Sequence, residues 1–284
     1  MNRIVLLGTG GGPKIWAKRS QPSSAIIIND SVYIIDTGDG ICTQLAKANI
    51  DIKKIKAIFI THNHSDHVAD LGTLLLRSWQ SGHQGEIHCF GPNPIMEMID
   101  SYKNYMKWDI ELRIKDEDRP DFESIYNVTE IREMNNFYSD NNLKVECITV
   151  PHGAAKPSFA YKFLLADKVI VFSGDTSKSS KLIEFSQNAD FLIHEVLNLD
   201  GVDSIIQKTH PGNQSFRNHI IESHTSMIEV GEVAKASNVK TLILNHLVPT
   251  ASPIYDKEEV WLSGVSRSFN GNIIVGDDLL EIEI

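Results

Sequence analysis

The chain has 284 residues, of which 42% are hydrophobic and 23% charged, and its formal net charge is −10. These values are ordinary for a soluble globular protein with a hydrophobic core. The negative charge disfavours a long RNA or DNA ligand, because it repels a phosphate backbone. No apolar run approaches the roughly 20 residues of a membrane-spanning helix, and the N-terminal run IVLLG is too short for a signal peptide. We therefore expect a cytoplasmic protein without a membrane segment.

Cysteine usage and linker composition both indicate a simple organisation. The three cysteines, Cys42, Cys89 and Cys147, are widely spaced, which indicates neither a disulfide framework nor a zinc site of the CxxC type. The chain has no low-complexity tract and no linker rich in proline, glycine or serine. We therefore expect one domain over residues 1–284.

Short β-branched runs alternate with helical patterns along the chain. In the first half, the patterns predict strands at 3–7, 24–28, 32–36, 57–60 and 86–90, and helices at 40–49, 69–80 and 93–107. In the second half, they predict strands at 143–150, 158–165, 168–173, 190–194 and 240–245, helices at 225–236 and 256–267, and a closing hairpin of 272–275 and 278–284 through Asp277. Residues 109–140 are polar and irregular, which is typical of an insertion. Two β-rich halves with interspersed helices predict an α/β architecture of two sheets packed face to face with helices outside.

The most informative segment, Thr61-His62-Asn63-His64-Ser65-Asp66-His67, directly follows the predicted strand at 57–60. Histidine and aspartate are ligands that zinc takes in catalytic sites, and strand ends are where α/β folds place such sites. Alternation along an extended loop puts His62, His64 and Asp66 on one side and His67 elsewhere, which suits two metal ions better than one. A surface loop with chance histidines is the alternative, and the spacing disfavours it.

This segment resembles the HxHxDH signature of the metallo-β-lactamase superfamily, and further motifs of that family follow in order. They are Leu7-Gly8-Thr9-Gly10-Gly11-Gly12-Pro13, Ile35-Asp36-Thr37-Gly38-Asp39-Gly40, Val150-Pro151-His152-Gly153, Phe172-Ser173-Gly174-Asp175-Thr176 and Asn245-His246-Leu247-Val248-Pro249. The resemblance implies the four-layer αββα sandwich of that fold. It also implies two zinc ions per chain, one held by His62, His64 and His152, the other by Asp66, His67 and His246, with Asp175 bridging them. Mn²⁺ or Fe²⁺ are alternatives, since such ligands accept several divalent ions.

The resemblance also implies how the site would work. Two metal ions activate water near neutral pH, so no covalent nucleophile is required. In ribonuclease Z-like members, a glutamate at a strand end and a histidine work as a pair near the leaving group. Glu195 and His224 match those places, so we expect His224 to be the general acid and Glu195 to orient it, with Asp66 as a further member of the catalytic set. The alternative is that His224 only caps the helix at 225–236, where Thr225 or Ser226 is also a plausible cap.

Several other polar residues are candidates for supporting the site. Asp36, Asp39 and Asp70 are placed to orient metal-binding imidazoles. Asp39 could equally be the N-cap of the helix at 40–49, and Asp70 a solvated helix residue. The run Gly10 to Gly12 lacks the spacing of a nucleotide-binding loop, and a turn that requires positive φ is the simpler interpretation.

The closer resemblance is to arylsulfatase-like members of the branch. Its motifs include Gly8-Thr9-Gly10-Gly11-Gly12-Pro13, Phe90-Gly91-Pro92, Pro157-Ser158-Phe159-Ala160-Tyr161 and Val275-Gly276-Asp277-Asp278-Leu279. The long arm with which ribonuclease Z grips tRNA has no counterpart here. We therefore expect a small-molecule anionic substrate, a sulfate or phosphate ester with an aromatic or cyclic leaving group. Residues 200–220 look like a mobile loop over the site. Four aromatic residues are candidates for lining an apolar pocket, although core or surface packing is the simpler interpretation of each: Trp79, Phe137, Tyr138 and Phe216.

Three further functions stay open at this point: a lactonase or carboxylic-ester hydrolase on the same site, a ribonuclease Z-like RNA phosphodiesterase, and a non-catalytic scaffold. A scaffold is disfavoured because scaffolds of this fold usually lose metal ligands, and all seven candidates are present. An oxygen-reducing di-iron enzyme is disfavoured because a carboxylate usually stands there in place of His64. Dimers are common in this branch, so the resemblance also favours a homodimer.

Overall fold

The computed structural model describes residues 2–250, 255 and 257–284. In these residues, fourteen strands form two sheets of seven strands each. The first sheet has the order β14-β1-β2-β3-β4-β5-β6, with β1 at Arg3–Gly8, β2 at Ser23–Ile28, β3 at Ser31–Ile35, β4 at Ile55–Phe59, β5 at Ile87–Gly91, β6 at Tyr126–Glu130 and β14 at Leu280–Glu283. The second sheet has the order β13-β12-β11-β10-β9-β8-β7, with β7 at Met134–Ser139, β8 at Lys144–Val150, β9 at Ser158–Leu164, β10 at Val169–Phe172, β11 at Phe191–Leu197, β12 at Thr241–Val248 and β13 at Asn272–Val275.

Helices cover the outer face of each sheet. Those of the first half are α1 (Ile41–Lys47), α2 (Ser65–Val68), α3 (Leu71–Gln80), α4 (Ile95–Tyr105) and α5 (Lys107–Glu117), with short 3-10 helices at Ile52–Lys54 and Phe122–Ile125. Those of the second half are α6 (Ser180–Phe185), α7 (Leu199–Thr209), α8 (Gln214–Ser223), α9 (Met227–Ala236) and α10 (Glu258–Val265). None of the helices in the described residues is long and apolar enough to cross a membrane.

The core is divided by the two sheets, because successive side chains of a strand point to opposite faces. In β1, Ile4 and Leu6 belong to the cluster between the sheets, whereas Val5 and Leu7 pack against helices of the first half. A third cluster, which includes the fully buried Trp261, joins the outer face of the second sheet to α6, α9 and α10. This arrangement confirms the predicted α/β sandwich of two sheets with helices outside.

The segment 109–140 was expected to be irregular, and this expectation is wrong. It contains most of α5 and two strands, of which β6 pairs with β5 and β7 pairs with β8. Charged residues dominate α5, and Ile110 is its only fully buried side chain. The helix therefore shows no apolar stripe in the sequence, and the i,i+4 ion pairs of Arg113 with Asp109 and Glu117 support it instead.

The segment 200–220 is likewise not a loop but a helical hairpin formed by α7 and α8. Asn198 and Asn213 cap the two helices, each accepting a hydrogen bond from a backbone N–H three residues further on. Val202 and Ile206 are buried on one face of α7, with the spacing of an amphipathic helix. The capping asparagines and this spacing are the sequence signals that the loop interpretation overlooked.

The chain does not close as a hairpin, because β13 and β14 belong to different sheets. Gly276 N–H donates to Leu244 O at the end of the β12–β13 ladder, whereas Leu279 N–H donates to Leu6 O and begins pairing with β1. The turn therefore crosses between the sheets. In addition, α6, which Ser179 caps, was not predicted, and the first residue of the helix predicted at 256–267 lies outside the described residues. In the described residues, none of the three cysteines forms a disulfide bond.

Candidate metal centre

The histidine segment begins where β4 ends and turns at once into the short helix α2. His62 lies three residues beyond the end of β4, and the N–H of His67 donates to the carbonyl of His64, which closes the first turn of α2. The turn brings Asp66 and His67 back beside the side chain of His62, whose ring centroid lies 4.1 Å from that of His67. The local sequence therefore delivers four polar side chains to one edge of the sandwich.

The seven candidate ligands of the sequence analysis converge at this edge. Their ligand atoms form two groups, each within 4.8 Å, which comprise His62, His64, His152 and Asp175, and Asp66, His67 and His246. The carboxylate of Asp175 lies between the groups: its Oδ2 is 3.8 Å from Nε2 of His62 and 3.1 Å from Nε2 of His246. Six of the seven side chains are buried, and His64 is the least buried. The division of these residues between two metal ions stays a prediction of the family resemblance.

His246 reaches the site through an irregularity in β12. The register between β11 and β12 shifts between Glu195 and Val196, and His246 adopts a left-handed backbone with φ of 43°. Such a conformation is unfavourable for a residue with a side chain, and its occurrence at a site suggests a functional constraint. The glycine turn lies against it, since a Cβ on Gly11 would stand 2.7 Å from Nδ1 of His246. Gly12 has φ of 84°, as the positive-φ interpretation predicted, and its N–H donates to Oδ2 of Asp66.

Backbone and carboxylate groups orient two of the imidazoles. Oδ2 of Asp36 is 2.8 Å from Nδ1 of His67, and the same carboxylate accepts hydrogen bonds from the N–H and hydroxyl of Thr61. Nδ1 of His152 is 2.7 Å from the carbonyl oxygen of Ser223. Each partner can hold the ring so that its Nε2 faces the centre. Thr61 was not foreseen, because a single threonine at a strand end carries no distinctive pattern.

The other two aspartates proposed for this task contact different groups. The carboxylate of Asp70 accepts a hydrogen bond from the N–H of Gly40, which links the start of α3 to the start of α1. Asp39 is exposed, and its N–H donates to the side chain of Gln21. Asp39 is also not the N-cap of α1, because that position is occupied by Gly40.

The electrostatics of the centre keep its carboxylates ionised. Burial by itself raises the pKa of Asp175, but the charges of His246 and His67 outweigh it and hold that pKa well below its usual value. Burial also opposes ionisation of Asp66, and His67 and His246 again lower its pKa. Conversely, burial lowers the pKa of His62 well below its usual value, which favours the neutral imidazole. Ionised carboxylates and neutral imidazoles are the forms that bind metal ions.

The predicted acid pair is assembled beside this centre. Nδ1 of His224 lies 3.1 Å from Oε1 of Glu195, and the His224 ring stacks on that of His246 at 5.5 Å. Burial lowers the pKa of His224, but the charge and hydrogen bond of Glu195 outweigh it and raise this pKa to about 9. The imidazole is therefore protonated near neutral pH. The roles of both residues stay predictions, although the structure brings them together as the resemblance implied.

A cavity of about 620 Å³ opens over the centre. Its lining includes residues of the centre, His224, and residues of the α7–α8 hairpin, among which Val202, Ile206 and Phe216 are apolar. Of the four aromatic candidates, only Phe216 lines this cavity. Trp79 packs on Phe122, and Phe137 and Tyr138 pack on Phe59 and Phe90 in the core between the sheets, so their assignment to the pocket is wrong.

The residues at the centre fit a metal site. Nε2 atoms of His62, His67 and His246 are buried without a hydrogen-bond partner in the described part of the chain, and all three face carboxylate oxygens. Buried polar atoms normally have partners, so three convergent orphans indicate a ligand that the chain itself does not supply. Imidazole and carboxylate are the donors that catalytic zinc takes.

The fold and this His/Asp centre define a metal-dependent hydrolase of the metallo-β-lactamase superfamily, in its ribonuclease Z-like branch. The chain belongs to the family described as Anti-Pycsar protein Apyc1, whose model matches residues 2–229. That match covers the whole histidine segment, Asp175, Glu195 and His224, and it ends before His246.

Similar proteins cover the chain from end to end. The ribonuclease Z of Mycolicibacterium gilvum (strain PYR-GCK) is 26% identical over 287 residues, which cover 100% of this chain and 96% of that protein. The metallo-β-lactamase fold protein YhfI from Bacillus subtilis superposes with a TM-score of 0.73 at 18% identity, covering 99% of this chain and 98% of that one. A diphosphatase from the PhnP family superposes with a TM-score of 0.67 at 17% identity, covering 100% and 98%. At such identities the two solved structures show a shared fold.

Proposed function

We propose that the chain is a two-zinc phosphodiesterase that hydrolyses a small-molecule phosphodiester. The observation that carries this proposal is the convergence of six His and Asp side chains, all candidate ligands, around Asp175, directly beside the His224–Glu195 pair. One site thus combines a place for two cations with a proton donor. Both are what the hydrolysis of an anionic ester requires.

His62, His64 and His152 would hold one ion, Asp66, His67 and His246 the other, and Asp175 would bridge them. Bound there, the ions would lower the pKa of water and neutralise charge on the phosphate oxygens. The number and identity of the ions are part of the proposal, and Mn²⁺ or Fe²⁺ fits the same donors.

The chain's own residues would then protonate the leaving group. In the hydrolysis, a P–O bond forms from water, and the P–O bond to the leaving group breaks. Nε2 of His224 would donate its proton to the departing oxygen, and a proton released from water would restore it. Glu195 holds Nδ1 of the same ring, so the ring is oriented with Nε2 free for this transfer.

The cavity supports a small substrate. Its volume is about 620 Å³, and residues of the α7–α8 hairpin line it together with the centre, which suits a small molecule. The net charge of −10 also opposes a long phosphate backbone. The apolar residues Val202, Ile206 and Phe216 favour an aromatic or cyclic leaving group, because burying such a ring there removes apolar surface from water.

Phosphorus esters are favoured over sulfate esters and lactones by the similar proteins, among which are a ribonuclease Z and a diphosphatase. The same similarity keeps an RNA phosphodiesterase as the second candidate, because the ribonuclease Z matches this chain over its full length. A precursor tRNA therefore belongs in the substrate panel.

The test is a hydrolysis panel with zinc-loaded protein on bis(4-nitrophenyl) phosphate, 4-nitrophenyl sulfate, a lactone and a precursor tRNA. Asp175→Asn removes the central carboxylate charge, and Asp39→Asn is the matched control at an exposed aspartate. We expect about two zinc ions per chain and phosphodiester hydrolysis that Asp175→Asn abolishes and Asp39→Asn leaves intact. Equal activity in Asp175→Asn would refute the two-ion site, and cleavage of the precursor tRNA alone would replace the small substrate by RNA.

A further inference from the structure

The acid pair is closed into a hydrogen-bonded ring by two threonines. The N–H of Thr176 donates to Oε1 of Glu195 at 2.9 Å, the same oxygen that Nδ1 of His224 approaches. The hydroxyl of Thr225, the residue after His224, donates to the carbonyl oxygen of Thr176 at 2.6 Å. The ring therefore runs from Thr176 through Glu195, His224 and Thr225 back to Thr176.

The ring ties His224 to the loop that carries Asp175, because Thr176 is the next residue along the chain. Three separate chain segments meet in it: the loop after β10, the end of β11 and the junction of α8 with α9. Neither Glu195 nor Thr225 is accessible, with exposed fractions of 2% and 0%. A hydrogen bond in such surroundings restrains its partners strongly, because water cannot replace it.

Thr225 is not the residue that caps the helix after this junction. The helix α9 is capped by Ser226, whose side chain and N–H form a capping box with Glu229. The carbonyl of Thr225 accepts a hydrogen bond from the N–H of Leu197. That bond holds the backbone at Thr225 and takes no part in the hydrogen-bonded ring. Among the residues that the structure describes, the Thr225 hydroxyl therefore bonds to the carbonyl of Thr176 and to no other group.

We propose that Thr225 is a positioning residue that, through the carbonyl of Thr176, sets His224 relative to Asp175 and so to the leaving group. The proposal rests on the proposed function, because the leaving group is that of the phosphodiester. The α7–α8 hairpin is inserted between Glu195 and His224 in the chain, so the position of His224 needs a tie that is independent of the hairpin. Thr225 provides that tie, and a displacement near 1 Å at a proton donor can cost about 100-fold in rate.

The test compares Thr225→Val, which keeps the shape but loses the hydroxyl, with Thr225→Ser, which keeps the hydroxyl. Ser78→Ala is the control, because Ser78 is fully buried, also donates its hydroxyl to a backbone carbonyl, and lies in α3 away from the centre. Zinc-loaded proteins are assayed on diphenyl phosphate and bis(4-nitrophenyl) phosphate. The two diesters are alike in shape, but phenolate is the more basic leaving group and depends more on a proton donor.

For Thr225→Val we expect kcat on diphenyl phosphate to fall about 10- to 100-fold, and kcat on bis(4-nitrophenyl) phosphate to fall less than about 3-fold. KM and zinc content should not change, Thr225→Ser should recover most of the rate, and Ser78→Ala should match the wild type on both esters. An equal loss on both esters would show that Thr225 only supports the metal loop, and no loss would show that the ring has no effect on catalysis. Either result overturns the proposal.

A second readout does not depend on hydrolysis. In ¹⁵N spectra of the zinc-loaded protein, the Nδ1–H of His224 should be protected from solvent exchange in the wild type and Thr225→Ser, and exposed to it in Thr225→Val. The resonance is assigned by its loss in His224→Asn. If the wild type hydrolyses neither diester, the proposed function fails. The part of the inference that concerns the leaving group then fails with it. The positional part, that Thr225 sets His224 relative to Asp175, holds if this protection depends on the hydroxyl and is refuted if Thr225→Val keeps the protection.

Discussion

Replacing Asp36 by asparagine should weaken metal binding while leaving the fold in place. Asp36 accepts hydrogen bonds from the N–H and hydroxyl of Thr61 and from Nδ1 of His67. An asparagine side chain has one acceptor oxygen and one donor nitrogen, so it cannot serve Thr61 and His67 together. The backbone itself should tolerate the change, because Asp36 has φ of 58°, and asparagine occupies this left-handed region about as readily as aspartate.

The magnitude follows from what the carboxylate does for the imidazole. It holds Nδ1 of His67 at 2.8 Å and so directs Nε2 toward Asp66 and Asp175. Removing such an orienting carboxylate costs about 10- to 100-fold in metal affinity. This corresponds to roughly 1.4 to 2.8 kcal/mol of binding free energy, at about 1.4 kcal/mol for each factor of ten.

The assay is a zinc titration in competition with a chromophoric chelator, on Asp36→Asn, Asp39→Asn and the wild type. Asp39 is the matched control, because it is exposed and only three residues away. We expect one of two zinc sites to weaken in Asp36→Asn, with circular dichroism unchanged, and no change in Asp39→Asn. If Asp36→Asn bound both ions as tightly as the wild type, the assignment of His67 as a ligand oriented by Asp36 would be wrong.

Three further predictions concern the acid pair, the pocket wall and the C-terminal turn. Glu195 raises the pKa of His224 to about 9, so the imidazole carries its proton below that pH and loses it above. Glu195→Gln should therefore shift the alkaline limb of the kcat–pH profile for diphenyl phosphate to lower pH. An unchanged limb would contradict the role of Glu195. Phe216→Ala should raise kcat/KM for bis(4-methylumbelliferyl) phosphate relative to bis(4-nitrophenyl) phosphate by about tenfold, and an unaltered ratio would remove Phe216 from the pocket wall. Asp278→Ala should lower the free energy of unfolding in urea by about 2–4 kcal/mol, because the Asp278 carboxylate accepts hydrogen bonds from four donors. Asp277→Ala should lower it less. Similar losses in the two variants would contradict a specific stabilising role of the Asp278 carboxylate.

Most of the metal centre could be predicted from the sequence because its ligands lie in short, ordered motifs. The histidine segment presents four of the seven candidates within six residues, directly after a buried strand. His152, Asp175 and His246 each follow a predicted strand, and strand ends on one edge of a sandwich necessarily meet. The partner that orients each imidazole was harder to predict from the sequence. Asp36 and His67 form one such pair, and they follow two different strands and are distant in the chain.

The missed elements share a different cause. The apolar stripe that marks an amphipathic helix is weak in α5, which buries only Ile110, and the stripe of α7 and α8 faces the small cluster beside the cavity instead of the main core. The hairpin prediction at the C-terminus is wrong because two short strand-like runs on either side of Asp277 do not indicate which sheet each strand joins. The partner of β14 is β1, almost the full length of the chain away.

The parts of the site that the sequence predicts and the part that it misses come from different elements of the fold. The seven candidate ligands and Glu195 come from the ends of β4, β8, β10, β11 and β12 and from the segments next to them, so the two sheets position them. His224 instead lies at the junction of α8 and α9. The α7–α8 hairpin, which lines the cavity, is inserted between Glu195 and His224 and adds none of the seven candidate ligands. Under the proposed function, a change in this hairpin would alter which substrate fits and would leave the candidate ligands in place. The candidate ligands could therefore be predicted from motifs, whereas the shape of the cavity beside them depends on a helical hairpin that the sequence patterns did not predict.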